Sequence, residues 1–97
     1  MANTTYTKPE GIRTKAACIA FARHTALQDM KIQCSNFWSA RMSREFTRFF
    51  DKNIHWLWTT PNSYGGRPES FKTYRNRAPF LAIVAEEQFA NLKGWKL

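Results

Sequence analysis

The chain has 97 residues, 43% of them hydrophobic and 15% aromatic. That is enough apolar surface for one small core and too much for a disordered tail. Fifteen lysines and arginines against seven carboxylates leave a formal charge of +8, so nucleic acid, an acidic protein surface or anionic lipid would relieve the self-repulsion.

Cys18 and Cys34 are too few for a disulfide framework and belong to no Cys-x-x-Cys pair. With His24 and His55 they also lack the close ligand spacing of a zinc site. The first residues carry no signal-peptide pattern, and no apolar run is long enough to span a bilayer. The expected location is therefore the cytoplasm, with reduced thiols and no metal or other cofactor.

Residues 1–6 are polar and expected to fray. Thr7-Lys8-Pro9-Glu10 reads as a helix start, with Thr7 as cap, Glu10 reaching back and Pro9 where no helical N–H is needed. Gly11 weakens that first turn. Apolar residues then recur with helical period at Ile12, Ala16, Ile19, Ala20, Ala26, Leu27 and Met30. A first helix over 8–30 follows, its small side chains suited to close packing against a second helix. The next stretch, Met30-Lys31-Ile32-Gln33-Cys34, fits either a short strand or a helix end with connector.

Ser35 or Asn36 caps a second helix running to Lys52. On its wheel Trp38, Met42, Phe46, Phe49 and Phe50 share one face, while Arg41, Arg44, Arg48 and Lys52 form a narrow row with Phe37 beside it. The phenylalanines read as core. The arginine row with Phe37 reads as a contact surface, since arginine and aromatic residues are enriched in interface hot spots. Asn53 to Thr59 contains Trp56 and Trp58 and is either a strand or a continuation of the second helix.

Residues 59–78 form a long loop. Pro61-Asn62-Ser63-Tyr64-Gly65-Gly66-Arg67-Pro68 is dense in turn chemistry, and Ser70 to Arg77 interleaves Phe71 and Tyr74 with Lys72 and Arg75. The glycine pair lets the loop project, which makes an exposed Arg67-Pro68 bond a candidate ligand for a host cyclophilin-type prolyl isomerase. Pro79 and Gly94 bracket a third helix over 79–93, although Phe80 to Ala85 alone would also pass as a buried strand. Phe80 and Ile83 are expected in the core, Glu86, Glu87, Gln88 and Asn91 supply a polar side, and Trp95 and Leu97 cap the core or extend the partner surface. The expected fold is thus mostly α: a single domain, 1–97, of about three helices with a long Gly/Pro-containing loop between the second and third.

No nucleophile elbow, phosphate-binding glycine loop or helical metal-ligand pair is present, so the reading is a non-enzymatic binding protein. Its size, basic charge and tryptophan content, with Ser63-Tyr64-Gly65-Gly66-Arg67-Pro68-Glu69-Ser70 at the centre, resemble the small anti-RecBCD accessory proteins of lambdoid phages, the Abc type. That resemblance implies a protein in the host cytoplasm that binds the RecBCD helicase-nuclease through its RecC subunit. Binding would change how the enzyme treats DNA ends, to the benefit of phage recombination. The partner-binding residues expected on this reading are Phe37, Arg41, Arg44, Arg48, Trp56, Trp58, Tyr64, Gly66, Arg67, Pro68, Lys72, Tyr74 and Arg75. The alternative is a direct nucleic-acid binder that sets Arg41, Arg44, Arg48, Lys72, Arg75 and Arg77 against phosphates.

Overall fold

Three hydroxyl caps set the helix boundaries of the structure, a computed structural model that describes residues 11–96. Thr14 Oγ1 accepts from the Ala17 N–H at 3.1 Å and opens α1, Lys15–Gln33. Ser39 Oγ accepts from the Met42 N–H at 3.3 Å and opens α2, Ala40–Lys52. Thr73 Oγ1 accepts from the Asn76 N–H at 3.1 Å and opens the longest helix. Between the second and third of these caps lies a single-turn helix, α3, Ile54–Trp58; the last helix, α4, is Tyr74–Lys93. A 3-10 turn, Pro68–Ser70, interrupts the loop before α4. Among the described residues there is no strand, and the mostly helical expectation holds.

Each boundary differs from the sequence expectation for a local reason. The cap expected at Thr7, Pro9 and Glu10 lies outside the described residues, but Ile12 and Arg13 are not helical, so α1 starts only at Lys15. At its other end α1 runs through Met30-Lys31-Ile32-Gln33, which closes the strand alternative. Ser39 rather than Ser35 or Asn36 caps α2, and Trp38 therefore packs from the connector, its indole N–H donating to Ser43 Oγ at 2.8 Å. Residues 54–58 are helical and set off from α2 at Asn53, whose backbone and side-chain amides both donate to the Phe49 carbonyl. The Thr73 cap extends α4 five residues ahead of Pro79, placing the proline inside the helix. Pro79 has no N–H to offer the Arg75 carbonyl, and Arg75 lies on the exposed side of the helix, where the missing bond costs least.

The two long helices run in the same direction. Lys15 and Arg77, near their starts, both lie over the Trp58 ring, at 4.6 and 3.7 Å from its centroid. Farther along, Gln33 at the end of α1 donates to Glu86 of α4 at 3.1 Å. Cys18, Ala22, Ala26 and Met30 of α1 are fully buried, one residue every four, against a side of α4 that includes Ala78, Ala82 and Ala85. Such a ridge of small side chains lets two backbones approach closely. The expected stripe shares Ala26 and Met30 with this line and departs from it elsewhere: Ala16 and Ala20 are exposed, while Ile19 and Leu27 flank the contact half-buried. Cys18, Ala22 and Ala26 are the small members of the buried line, which ends on the larger Met30, and the branched Ile19 and Leu27 stand beside it.

Phenylalanines fill the space between this pair and α2. Phe46, Phe50 and Phe89 are fully buried, and Phe46 meets Phe89 edge-to-face at 5.1 Å. Phe49 lies half-buried at 5.4 Å from Phe89, and Leu57 of α3 closes the core. Phe80 is buried as expected, but Ile83 is 45% exposed and takes no part in the core. No helix among the described residues is long and apolar enough to cross a membrane.

Candidate docking surface

The loop between α3 and α4 is built to hold one side chain out. α3 ends where the Thr59 and Thr60 hydroxyls both donate to the Trp56 carbonyl, at 3.1 and 2.6 Å. Asn62 then organises the turn. Its Oδ1 accepts from the N–H groups of Tyr64 and Gly66 at 3.0 and 2.7 Å, and its own N–H donates to the Gly66 carbonyl at 3.0 Å. Gly65 sits at φ 89°, a conformation that L side chains rarely adopt. Gly66 is tightly seated: a Cβ there would stand 3.1 Å from the Asn62 amide and 3.2 Å from the Phe80 ring, so either neighbour would have to give by a few tenths of an ångström.

The turn is also pinned to α4. The Ser63 N–H and hydroxyl donate to the two oxygens of Glu87, at 2.9 and 2.6 Å. Tyr64, between these anchors, is 88% exposed. The backbone that carries this aromatic residue is ordered before any partner arrives, which lowers the entropy cost of using it as an interface anchor.

Arg67-Pro68 does not project. Pro68 opens the 3-10 turn and is buried, and Arg67 is exposed, with Glu69 3.5 Å away. The expectation of a freely presented Gly-Gly-Arg-Pro is therefore corrected. Gly66 and Pro68 seat the loop on the core, and the exposed tip lies earlier, at Tyr64 and Gly65.

The remaining expected contact residues divide between the two ends of the helix pair. Trp58 and Tyr74 lie together at 6.2 Å where α1 and α4 begin, with Lys72 and Arg75 exposed beside Tyr74. Here Trp58 is half-buried beneath Lys15 and Arg77, and the Arg77 guanidinium also donates to the Trp58 carbonyl, so Arg77 serves the fold and is not a free cation. Trp56 is 51% exposed on α3. At the other end, Arg41, Arg44 and Arg48 are exposed along α2. Phe37, 51% exposed, meets Trp95 edge-to-face at 5.2 Å.

Trp95, Lys93 and Glu87 complete these surfaces. Trp95, expected either to cap the core or to extend the partner surface, packs half-buried against the core, whereas the roles of Lys93 and Glu87 were not singled out from sequence. For Trp95 a signal exists. Gly94 at φ 75° ends α4, and the Trp95 N–H folds back onto the Ala90 carbonyl at 2.9 Å, swinging the indole against Phe37, Trp38 and Phe89. Lys93 pairs with Glu45 of α2, a contact 48 residues apart that no local pattern announces.

One ionisable group is buried away from these surfaces. Glu86 faces Asp29 and Gln33 of α1: Gln33 donates to its Oε1, no donor reaches its Oε2, and a proton on the glutamate is shared with the Asp29 carboxyl. Burial pushes its pKa up to about 8; the Asp29 carboxyl adds to the rise and the Gln33 hydrogen bond opposes it. The glutamate is therefore mostly protonated at neutral pH. Burial likewise raises both thiols, although Arg77 partly offsets the effect at Cys18. Among the described residues no three His, Cys, Asp or Glu side chains form a group able to hold a metal ion.

No family model matches this chain, nor does any curated protein or solved structure.

Proposed function

We propose that this protein is a non-enzymatic docking protein that binds a host DNA-end-processing helicase-nuclease of the RecBCD type, through its RecC subunit, and alters its activity in favour of phage recombination. The observation that carries the docking role is Tyr64, an 88% exposed aromatic held on a turn fixed by Asn62 and by the Ser63–Glu87 pair. Preorganised aromatic anchors are what interface hot spots are made of. The choice of partner rests on the resemblance of size, charge and central loop to the Abc-type accessory proteins. Trp56 extends the apolar part of the surface. A cyclophilin-type isomerase stands in this proposal as a second partner, one that has to lift Pro68 from its buried seat before it reaches the Arg67–Pro68 bond.

The test mixes the purified protein with RecBCD, and separately with RecC, and follows co-elution together with exonuclease activity on linear duplex DNA. Co-elution with both and a changed exonuclease rate support the reading. Separate elution from both, with unchanged digestion at micromolar protein, overturns the choice of partner.

A further inference from the structure

We infer that α2 carries a second binding site, for the phosphate backbone of a single-stranded nucleic acid. The geometry lies in a groove of about 780 Å³ between α2 and the end of α4, lined by Ser39, Arg41, Met42, Arg44, Glu45, Arg48 and Lys93. Glu45 is the only carboxylate there and is taken by Lys93. Arg41, Arg44 and Arg48 have no carboxylate partner among the described residues. Their three- and four-residue spacing sets three guanidinium groups in one row about 10 Å long at the helical rise of 1.5 Å per residue.

The chemistry of the lining selects the ligand. Protein interfaces have an apolar centre, and this groove offers only Met42. A row of unneutralised guanidinium groups suits a linear polyanion, whose charges repeat along its length and accept bidentate hydrogen bonds. An aromatic platform stands where the groove ends: Phe37 is two residues ahead of Ser39, Trp95 two residues beyond Lys93, and the two rings are in contact at 5.2 Å. Half-exposed Phe37 offers a base-stacking face beside the cation row, the combination used by proteins that bind single strands without sequence preference. The arginine row lies in a different groove from the Tyr64 turn, while Trp95 at its aromatic end shares a cavity with Ser63 and Tyr64. A protein docked through Tyr64 on a DNA-processing machine would therefore have the cation row beside its interface, placed to hold the strand that the machine unwinds.

Fluorescence anisotropy with a labelled 20-nucleotide oligo-dT probe, set beside a poly-glutamate peptide of equal charge, tests the assignment. Oligo-dT should bind at 50 mM salt with a log–log salt slope of about −2, the value for three phosphate contacts on a single strand, weakening ~20-fold by 200 mM. Poly-glutamate should bind more weakly. R41Q/R44Q/R48Q should abolish the salt-dependent binding while leaving the helical circular dichroism and melting temperature unchanged, because all three side chains are exposed. Phe37→Ala should lower affinity about tenfold without altering the slope, since stacking carries no counterions. Undetectable oligo-dT binding at 50 mM, poly-glutamate binding of equal strength, or a triple variant that binds like the parent would each overturn the site.

Discussion

Replacing Glu86 by glutamine tests the least expected feature of the core. Glutamine keeps the size and the acceptor that Gln33 uses, and it removes the group that titrates. In the folded protein Glu86 holds its proton up to a pH of about 8, whereas an unfolded glutamate releases it near 4.5. Between those values the folded state binds more protons than the unfolded state, so this group makes stability fall as pH rises. Below the lower value both states are protonated, and above the upper value both are ionised, so the loss begins near pH 4.5 and is complete above about 8. At ~1.4 kcal/mol per tenfold difference in proton affinity, the ceiling is ~5 kcal/mol at high pH and ~3 kcal/mol at pH 7. Urea denaturation followed by tryptophan fluorescence, from pH 4.5 to 9, measures it. Glu86→Gln should be close to the parent at pH 4.5 and gain on it steadily, with most of the gain reached by pH 8. Two stability curves that stay parallel over this range would refute the reasoning.

Three further outcomes follow from the packing. Ala26→Leu places a large side chain on the line where α1 and α4 meet and should cost ~1–3 kcal/mol in urea denaturation, whereas the same change at exposed Ala20 should cost less than ~0.5 kcal/mol. Phe46→Ala empties the centre of the phenylalanine cluster and should cost ~3–5 kcal/mol; a loss below ~1 kcal/mol would contradict its burial. Thr14→Ala removes the α1 cap and should cost ~1 kcal/mol, with amide exchange accelerating at Ala17, where the capping bond ends.

What the sequence made legible is what local chemistry decides. Helical periodicity identified α1, α2 and α4, and the aromatic face of α2 placed Phe46 and Phe50 in the core. The boundaries moved because several residues competed for each cap. Thr7, Ser35 and Pro79 were plausible starts, and Thr14, Ser39 and Thr73 are the residues whose hydroxyls meet a helical N–H. The site was legible as residue types and not as an arrangement. Tyr64, Phe37 and the arginine row are exposed as expected, but Pro68 is buried because the loop is pinned at Glu87, 24 residues from Ser63. Glu86 and Glu87 looked like an ordinary polar side of a helix. Only the parallel packing of α1 carries one of them inside, and only the loop gives the other its role.

The central claim is that Tyr64 is the anchor of a protein interface, and its removal tests that claim most directly. The dissociation constant for RecBCD should be measured for the parent, Tyr64→Ala and Asn62→Ala by surface plasmon resonance. Tyr64 is 88% exposed and absent from the core, so its truncation should leave the melting temperature unchanged. A hot-spot aromatic costs ~2 kcal/mol or more when truncated, a weakening of about 30-fold. Asn62→Ala, which frees the turn but keeps the ring, should weaken binding by a smaller factor, through ordering entropy alone. A Tyr64→Ala protein that binds within threefold of the parent would contradict the account.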